Sequence, residues 1–348
     1  MLKLQSKFVR SLKEANSLSD LYPLVQKAIE LEHSTIPPYL TAMFSIKPNT
    51  ERLAWTIIHS IVIEEMLHMT IASNILNALG GAPQINGEGF VPSYPSKLPM
   101  GIGDGLIVNL EMLSKKVVYD TFMEIEEPEN PLVFPVKMAN LFAAEAEPEY
   151  RTIGEFYGAL KKKIDELAPE ILPGDPAKQV TSSFFKPEEL FPIITKHDAS
   201  RAIDIIVEQG EGTTISPVDP EGEIAHYYRF QEIYIGKMLV KDDSVPEGYS
   251  FSGTEIPFDP ANIHPIFPNT KAAMLTPGSE ERRRIDEFNN SYSSLLKGLH
   301  DTFNGHPEQL NNTIGIMYDV KLQGEKLCAT PFPGKSGENI GPSFEFMP

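Results

Sequence analysis

Cysteine is almost absent from this chain. One residue, Cys328, occurs in 348, which excludes an intramolecular disulfide and any cluster held by several thiolates. Positive charge is also scarce: 30 Lys and Arg stand against 48 Asp and Glu, a formal net charge of −18. Nucleic acids and anionic membrane surfaces both recruit clustered Lys and Arg, so neither is an expected partner. The acidic surplus reads as a solvated surface that keeps the chain soluble. No apolar run approaches the roughly 20 residues that span a bilayer, and the opening MLKLQSKFVRSLKEANS has no leader-like apolar stretch. A soluble, cytoplasmic protein is expected. Any metal it binds must be held by carboxylate and imidazole, ligands that suit iron, manganese or zinc.

Hydrophobic residues make up 41% and charged residues 22% of the chain, enough apolar content to bury a substantial core. Leu21, Val25, Ala28, Ile36 and Leu40 recur at helical spacing and predict a helix over 19–44, with a kink or local break at Pro37-Pro38. A second helix is predicted over 51–79, striped by Ala54, Ile58, Ile61, Ala72 and Leu79. Gly80-Gly81 and Pro83 stop it. Residues 84–110, rich in Gly and Pro, read as an irregular crossover. Beyond it, 112–125 reads as a helix or mixed segment, 136–147 and 152–167 as helices, 200–209 as a short helix and 221–241 as the next. Residues 244–276 read as extended and irregular, and two last helices cover 279–303 and 307–328. There is no internal repeat at a solenoid period. The expected fold is all-α, a four-helix bundle (1–241) with long crossover loops, carrying additional C-terminal helices (242–348) packed on it as one integrated unit.

A dinuclear carboxylate site in such a bundle takes one Glu from each of two helices and a Glu-x-x-His from each of the other two. The spacing puts both side chains on one helix face. Glu65–His68 and Glu223–His226 supply it, and Glu30–His33 is a third match. Spacing alone is weak evidence, since short motifs recur by chance. Face decides. The stripe of the second helix passes through positions 65 and 68, and Glu223 and His226 share a face with Tyr227, Phe230, Tyr234 and Met238. Inward carboxylates on apolar helices are costly unless paired or bound to a cation. On the first helix Glu32 aligns with Val25, Ala28, Ile36 and Tyr39, whereas Glu30 falls opposite and reads as a surface charge. His33 reads equally as a partner of the ligands or a surface residue. For the remaining single Glu, Glu155 is the choice although its wheel position opposes Ile153, Phe156, Leu160 and Ile164. Glu126 is the reserve, with Glu64 and Glu211 as outside alternatives. Tyr39, Tyr157 and Tyr227 read first as core aromatics.

The blocks AIELEHSTIPPYLTAMFSI, IVIEEMLHMTIASNILNALGGAP, TIGEFYGAL, VEQGEGT and EIAHYYRFQEIYIGK together resemble the ferritin-like domain family associated with iminophenyl-pyruvate dimer synthases of violacein-type pigment synthesis. The resemblance covers about residues 20–240, and the ending GPSFEF is similar to the family's C-terminal signature. It implies a ferritin-like fold and a ligand set of Glu32, Glu65, His68, Glu155, Glu223 and His226 around two metal ions, iron foremost, with manganese or zinc as alternatives. The chain lacks the much larger additional region of the violacein enzyme.

The leading expectation is therefore a di-metal oxidoreductase acting on a small organic molecule, because the long Pro/Gly loops and the C-terminal segment can shape a substrate pocket. Coupling of imines derived from amino acids is the alternative that the resemblance suggests. A non-catalytic metal-binding or ferroxidase-like protein is a third, and a metal-free scaffold a fourth. A homo-oligomer is compatible with each.

Overall fold

The computed structural model describes residues 6–87, 89–101, 105–128, 131–135, 153–182, 184–212, 216–220 and 222–348. The helix expected over 136–147 lies outside them. The described chain is mostly helical, and its strands are two residues long (Val240–Lys241 paired with Tyr249–Ser250).

After a short α1 (Ser6–Glu14), two long helices dominate: α2 (Leu18–Phe44) and α3 (Arg52–Ala78). The short link 45–51 folds α3 back along α2, and each helix buries an apolar stripe against the other. At Pro37-Pro38, where a kink or local break is expected, the helix does not break: α2 runs through both prolines. A proline at position 38 leaves the carbonyl of Ser34 without its helical donor, and the Tyr94 hydroxyl supplies one at 2.8 Å. Nearby hydroxyls reinforce the same stretch, with Thr41 donating to the carbonyl of Pro37 at 2.7 Å. The irregular crossover 84–110 thus carries a residue that completes α2.

The next rod, α4, is composite. An α-turn at Lys115–Val117 passes through a π-helical turn at Val118–Phe122 into Met123–Ile125. Then come α5 (Ile153–Leu167), α6 (Lys196–Glu211), α7 (His226–Ile235), α8 (Glu280–Phe303) and α9 (Leu310–Cys328). The helix predicted over 221–241 is shorter than expected at both ends. Gly222 (φ 90°) turns the chain so that Glu223 and Asp219 bond through their backbones, and Gly236 (φ 87°) caps the far end by donating to Glu232.

The helices layer around the α2–α3 pair. One face of the pair meets α6 and α7, and α7 in turn packs on α4. The opposite face meets α8 and α9. A continuous apolar core runs from Leu12 to Phe344 and joins these layers. Gly324 shows how close the second layer lies, because a Cβ there would stand 2.3 Å from the ring of Phe44. Among the described residues no helix is long and apolar enough to cross a membrane.

Candidate metal centre

Polar side chains converge where the apolar stripes of four helices meet. From α2 come Glu32, Thr35 and Tyr39, which share one face. From α3 come Glu64, Glu65 and His68. Glu126 stands at the C-terminal end of α4, one turn beyond its π-helical segment, and His226 is the first residue of α7. A π turn widens a helix locally, a feature that recurs beside functional sites. Glu32, Glu65, His68, Glu126 and His226 are all buried, His226 completely. They form two triads whose ligand atoms lie within 4.8 Å of one another: Glu32, Glu65 and His68, and Glu65, Glu126 and His226. Glu65 belongs to both.

Each inward group is held from outside by a partner. His226 Nε2 lies 2.8 Å from Glu64 Oε2, and the Arg229 guanidinium binds both oxygens of Glu64 at 2.8 Å. A carboxylate only accepts, so Nε2 carries a proton, and a cation entering the cluster would find Nδ1 as the ring's available donor atom. That Nδ1 stands 2.9 Å from Glu65 Oε1 and 3.4 Å from Glu126 Oε2, yet it is buried with no aligned hydrogen bond. His68 repeats the pattern. Its Nε2 meets Gln209 Oε1 of α6 at 2.9 Å, while Nδ1 faces Glu32 and Glu65 at 3.7 and 3.8 Å. The carboxylates are oriented by hydroxyls: Thr35 donates to Glu65 at 2.7 Å, Tyr157 of α5 to Glu32 at 2.5 Å, and Tyr39 to Glu126 at 2.5 Å. Fixing the outer atom of each ligand aims the inner one, which is how metal-ligating imidazoles and carboxylates are usually positioned.

The electrostatics point the same way. Glu32, Glu64, Glu65 and Glu126 place four carboxyl groups together against one guanidinium, Arg229, among the described residues. Burial pushes Glu65 up to about 7, Glu126 adds to the rise, and His226 and His68 oppose it. Burial works against charge on His226, but Glu126, Glu64 and Glu65 outweigh it and hold the imidazole well above its usual range. His68 is raised for the same reason, with Glu32 and Glu65 overcoming its burial. Glu64, though buried, is drawn down to about 2 by His226 and Arg229. Without a cation the pocket recruits protons onto its imidazoles. A cluster of this kind is stable only when positive charge enters it.

Four of the six residues named from the sequence meet here: Glu32, Glu65, His68 and His226. The other two do not join them. Glu223 precedes α7 rather than riding on it, its side chain is half exposed, and it pairs with Lys186 at 2.7 Å. Glu155 is only partly buried on α5, whose contribution to the cluster is the neighbouring Tyr157. Glu126, the reserve, stands in the second triad. Glu64, an outside alternative, lies behind His226, and the side chain of Glu211 is outside the described residues. His33 is buried away from the cluster with Nε2 on the Tyr292 hydroxyl at 2.7 Å. Glu30 pairs with Lys27 outside the cluster. Tyr39 and Tyr157 are core aromatics as expected, but their hydroxyls also serve the carboxylates. Gln209 escaped the sequence reading altogether, because nothing in its spacing marks it.

Nitrogen and oxygen donors suit iron, manganese or zinc, and the buried Nδ1 of His226, which faces Glu65 and Glu126 without an aligned hydrogen bond, fits a cation. A search of curated proteins finds no match. Among solved structures, a ferritin-like protein from Caulobacter vibrioides is similar, with 25% identity over 89% of this chain and 97% of that one and a TM-score of 0.58. The family model described as ferritin-like matches residues 25–235, a span that includes all five clustered residues. The chain belongs to the ferritin-like family.

Proposed function

We propose that this protein holds two metal ions, one by Glu32, Glu65 and His68 and the other by Glu65, Glu126 and His226, and that it acts as an oxidoreductase on a small organic substrate. The observation that carries this reading is the pair of triads sharing Glu65, each with an imidazole whose outer nitrogen is fixed and whose inner nitrogen faces carboxylates. Iron is the first candidate, with manganese or zinc also compatible with the donors. When bound, a redox-active pair held by these residues would supply one-electron and oxygen chemistry. The chain's own residues do the rest. Tyr39, Tyr157 and Thr35 orient the carboxylates, Glu64 and Gln209 orient the imidazoles, and the surrounding apolar helices exclude water. Enzyme rather than storage is favoured because the crossovers and the α8–α9 layer enlarge the bundle with segments that simple storage does not need. The ELEH, EEMLH and AHYYRF blocks, which resemble the imine-coupling family, supply Glu32, Glu65, His68 and His226, and this supports an amino-acid-derived substrate as a second reading.

Metal analysis of the purified protein, followed by anaerobic ferrous titration and exposure to oxygen, tests the proposal. About two irons per chain with an oxygen-dependent absorption band, lost in Glu65→Ala, is the expected result. Failure to take up any metal refutes it. Two zinc or manganese ions with no oxygen response refute the redox reading while keeping the metal centre.

A further inference from the structure

The face of α2 and α3 turned away from the carboxylates lines a pocket completed by α8 and α9. It encloses about 210 Å³. Its walls are mostly aliphatic and thioether side chains, among them Leu40, Met43, Met66 and Met69, with phenylalanines such as Phe44 and Phe185 beside them. Methionine yields readily to the shape of a ligand. Along α2 the lining runs from His33 to Phe44, a slot about 16 Å long at the helical rise. The inner end is closed by the buried His33 and Tyr292, which bond each other.

The pocket's solvent-facing rim includes Lys321 and the exposed Tyr318 and Phe184, with His59 also in the lining. Of the Lys, Arg, Asp and Glu side chains among the described residues, Lys321 alone lines the pocket. Its Nζ lies 5.0 Å above the ring of Trp55, which stacks on His59 at 4.7 Å. Its counter-ion is Glu325 at 3.9 Å, and both side chains are partly exposed. Such a pair contributes about 0–1 kcal/mol, so the ammonium remains free to take another anion. In a chain of net charge −18, a lone cation at the mouth of an apolar slot is a specific complement.

We propose that this pocket binds a chain carboxylate of the fatty-acid type, with its hydrocarbon in the slot and its carboxylate on Lys321. Each methylene that leaves water favours binding by about 0.8 kcal/mol, and the cation sets the orientation. The site is separate from the carboxylate cluster, since it uses the other face of the same two helices.

Trp55 is the chain's single tryptophan, so its emission reports on the mouth. Dodecanoate, kept below its micelle concentration, is titrated into the full-length protein and followed by Trp55 emission and calorimetry, with dodecanol as the uncharged comparison. The expected result is saturable binding of one dodecanoate per chain. Lys321→Gln should weaken it about tenfold, the scale of one charge-assisted contact, and leave dodecanol unchanged. Leu40→Phe, which fills the slot, should abolish both; should it fail to fold, Lys321→Gln decides alone. Binding that does not saturate, equal affinity for dodecanoate in wild type and Lys321→Gln, or association only with phosphatidylglycerol vesicles overturns the proposal. Chelator-treated protein must bind dodecanoate equally, and loss of binding there also overturns it. The metal reading stands or falls separately on metal content.

Discussion

His226 Nε2 stands 2.8 Å from Glu64 Oε2, and the other nitrogen of the same ring faces Glu65 and Glu126. Two adjacent glutamates of α3 thus address opposite edges of one imidazole. Glu64 fixes the proton on the outer nitrogen; Glu65 shares the space that the inner nitrogen faces. Glu64→Gln removes the acceptor's charge but keeps its size, and should weaken metal binding about 10–100-fold, as loss of an outer partner typically does. Competition against a chromophoric chelator measures this, and an unchanged affinity would show that Glu64 serves only Arg229.

Glu126 and Glu223 separate geometry from spacing. Glu126→Ala should lower metal content toward one ion per chain, because the second triad loses a buried donor. Glu223→Ala should leave metal content unchanged, since it removes only a surface pair with Lys186, worth about 0–1 kcal/mol. Loss of metal in Glu223→Ala would mean that residues 217–225 rearrange toward the cluster on loading.

Metal removal should lower thermal stability. An ion present at about one hundred times its dissociation constant stabilises the folded state by about 2.7 kcal/mol. Melting with and without chelator should show this shift in the wild type and a smaller one in Glu126→Ala. No shift in either would contradict the view that the cluster needs a cation.

Glu232 gives a pH test outside the cluster. Burial pushes its carboxyl up to about 7, against the Leu239 N–H that it accepts at 2.8 Å. Because the folded state holds this proton more tightly than the unfolded chain, stability falls as pH rises from the unfolded carboxylate range through 7, and the loss is complete above that. Glu232→Gln keeps an acceptor for Leu239 without the charge. It should gain on the order of 3 kcal/mol over wild type at pH 8 and little at pH 4. Urea unfolding at the two pH values measures this, and an equal difference at both would refute it.

Cys328 is fully buried, and burial pushes its thiol far above the usual range. A thiol-specific chromophore should leave it unmodified in the native protein and react once in denaturant. Rapid reaction without denaturant would mean that the end of α9 opens readily.

The long helices were legible because their signals are redundant. Leu21 through Leu40 and Ala54 through Leu79 repeat at the helical period, and Gly80-Gly81 marks a stop that the structure places within a residue or two. Glu32, Glu65, His68 and His226 were legible for a related reason: each interrupts an apolar stripe with a group that should not be buried alone. Glu126 gave no such signal. It lies past the end of a rod broken by a π turn, so no 3.6-residue wheel locates its side chain. Glu223 was misplaced by assuming that α7 begins before Gly222; the turn there ends the helical register and sends the carboxylate to Lys186. Glu155 fell on the wrong side of α5, as its wheel position warned, and Tyr157 occupies the inward direction. Gln209, Thr35 and Tyr94 act through single hydrogen bonds to distant segments, and no local pattern encodes those.

The shared Glu65 joins the two triads as a thermodynamic matter as well as a geometric one. If each triad takes an ion, whatever the first does to that carboxylate it does to the affinity for the second, and linkage requires the effect to be equal in either order of loading. Substitutions at Glu32 or Glu126 can then empty one position by itself. None at Glu65 can, so a variant there reports on the coupled pair and never on a single ion.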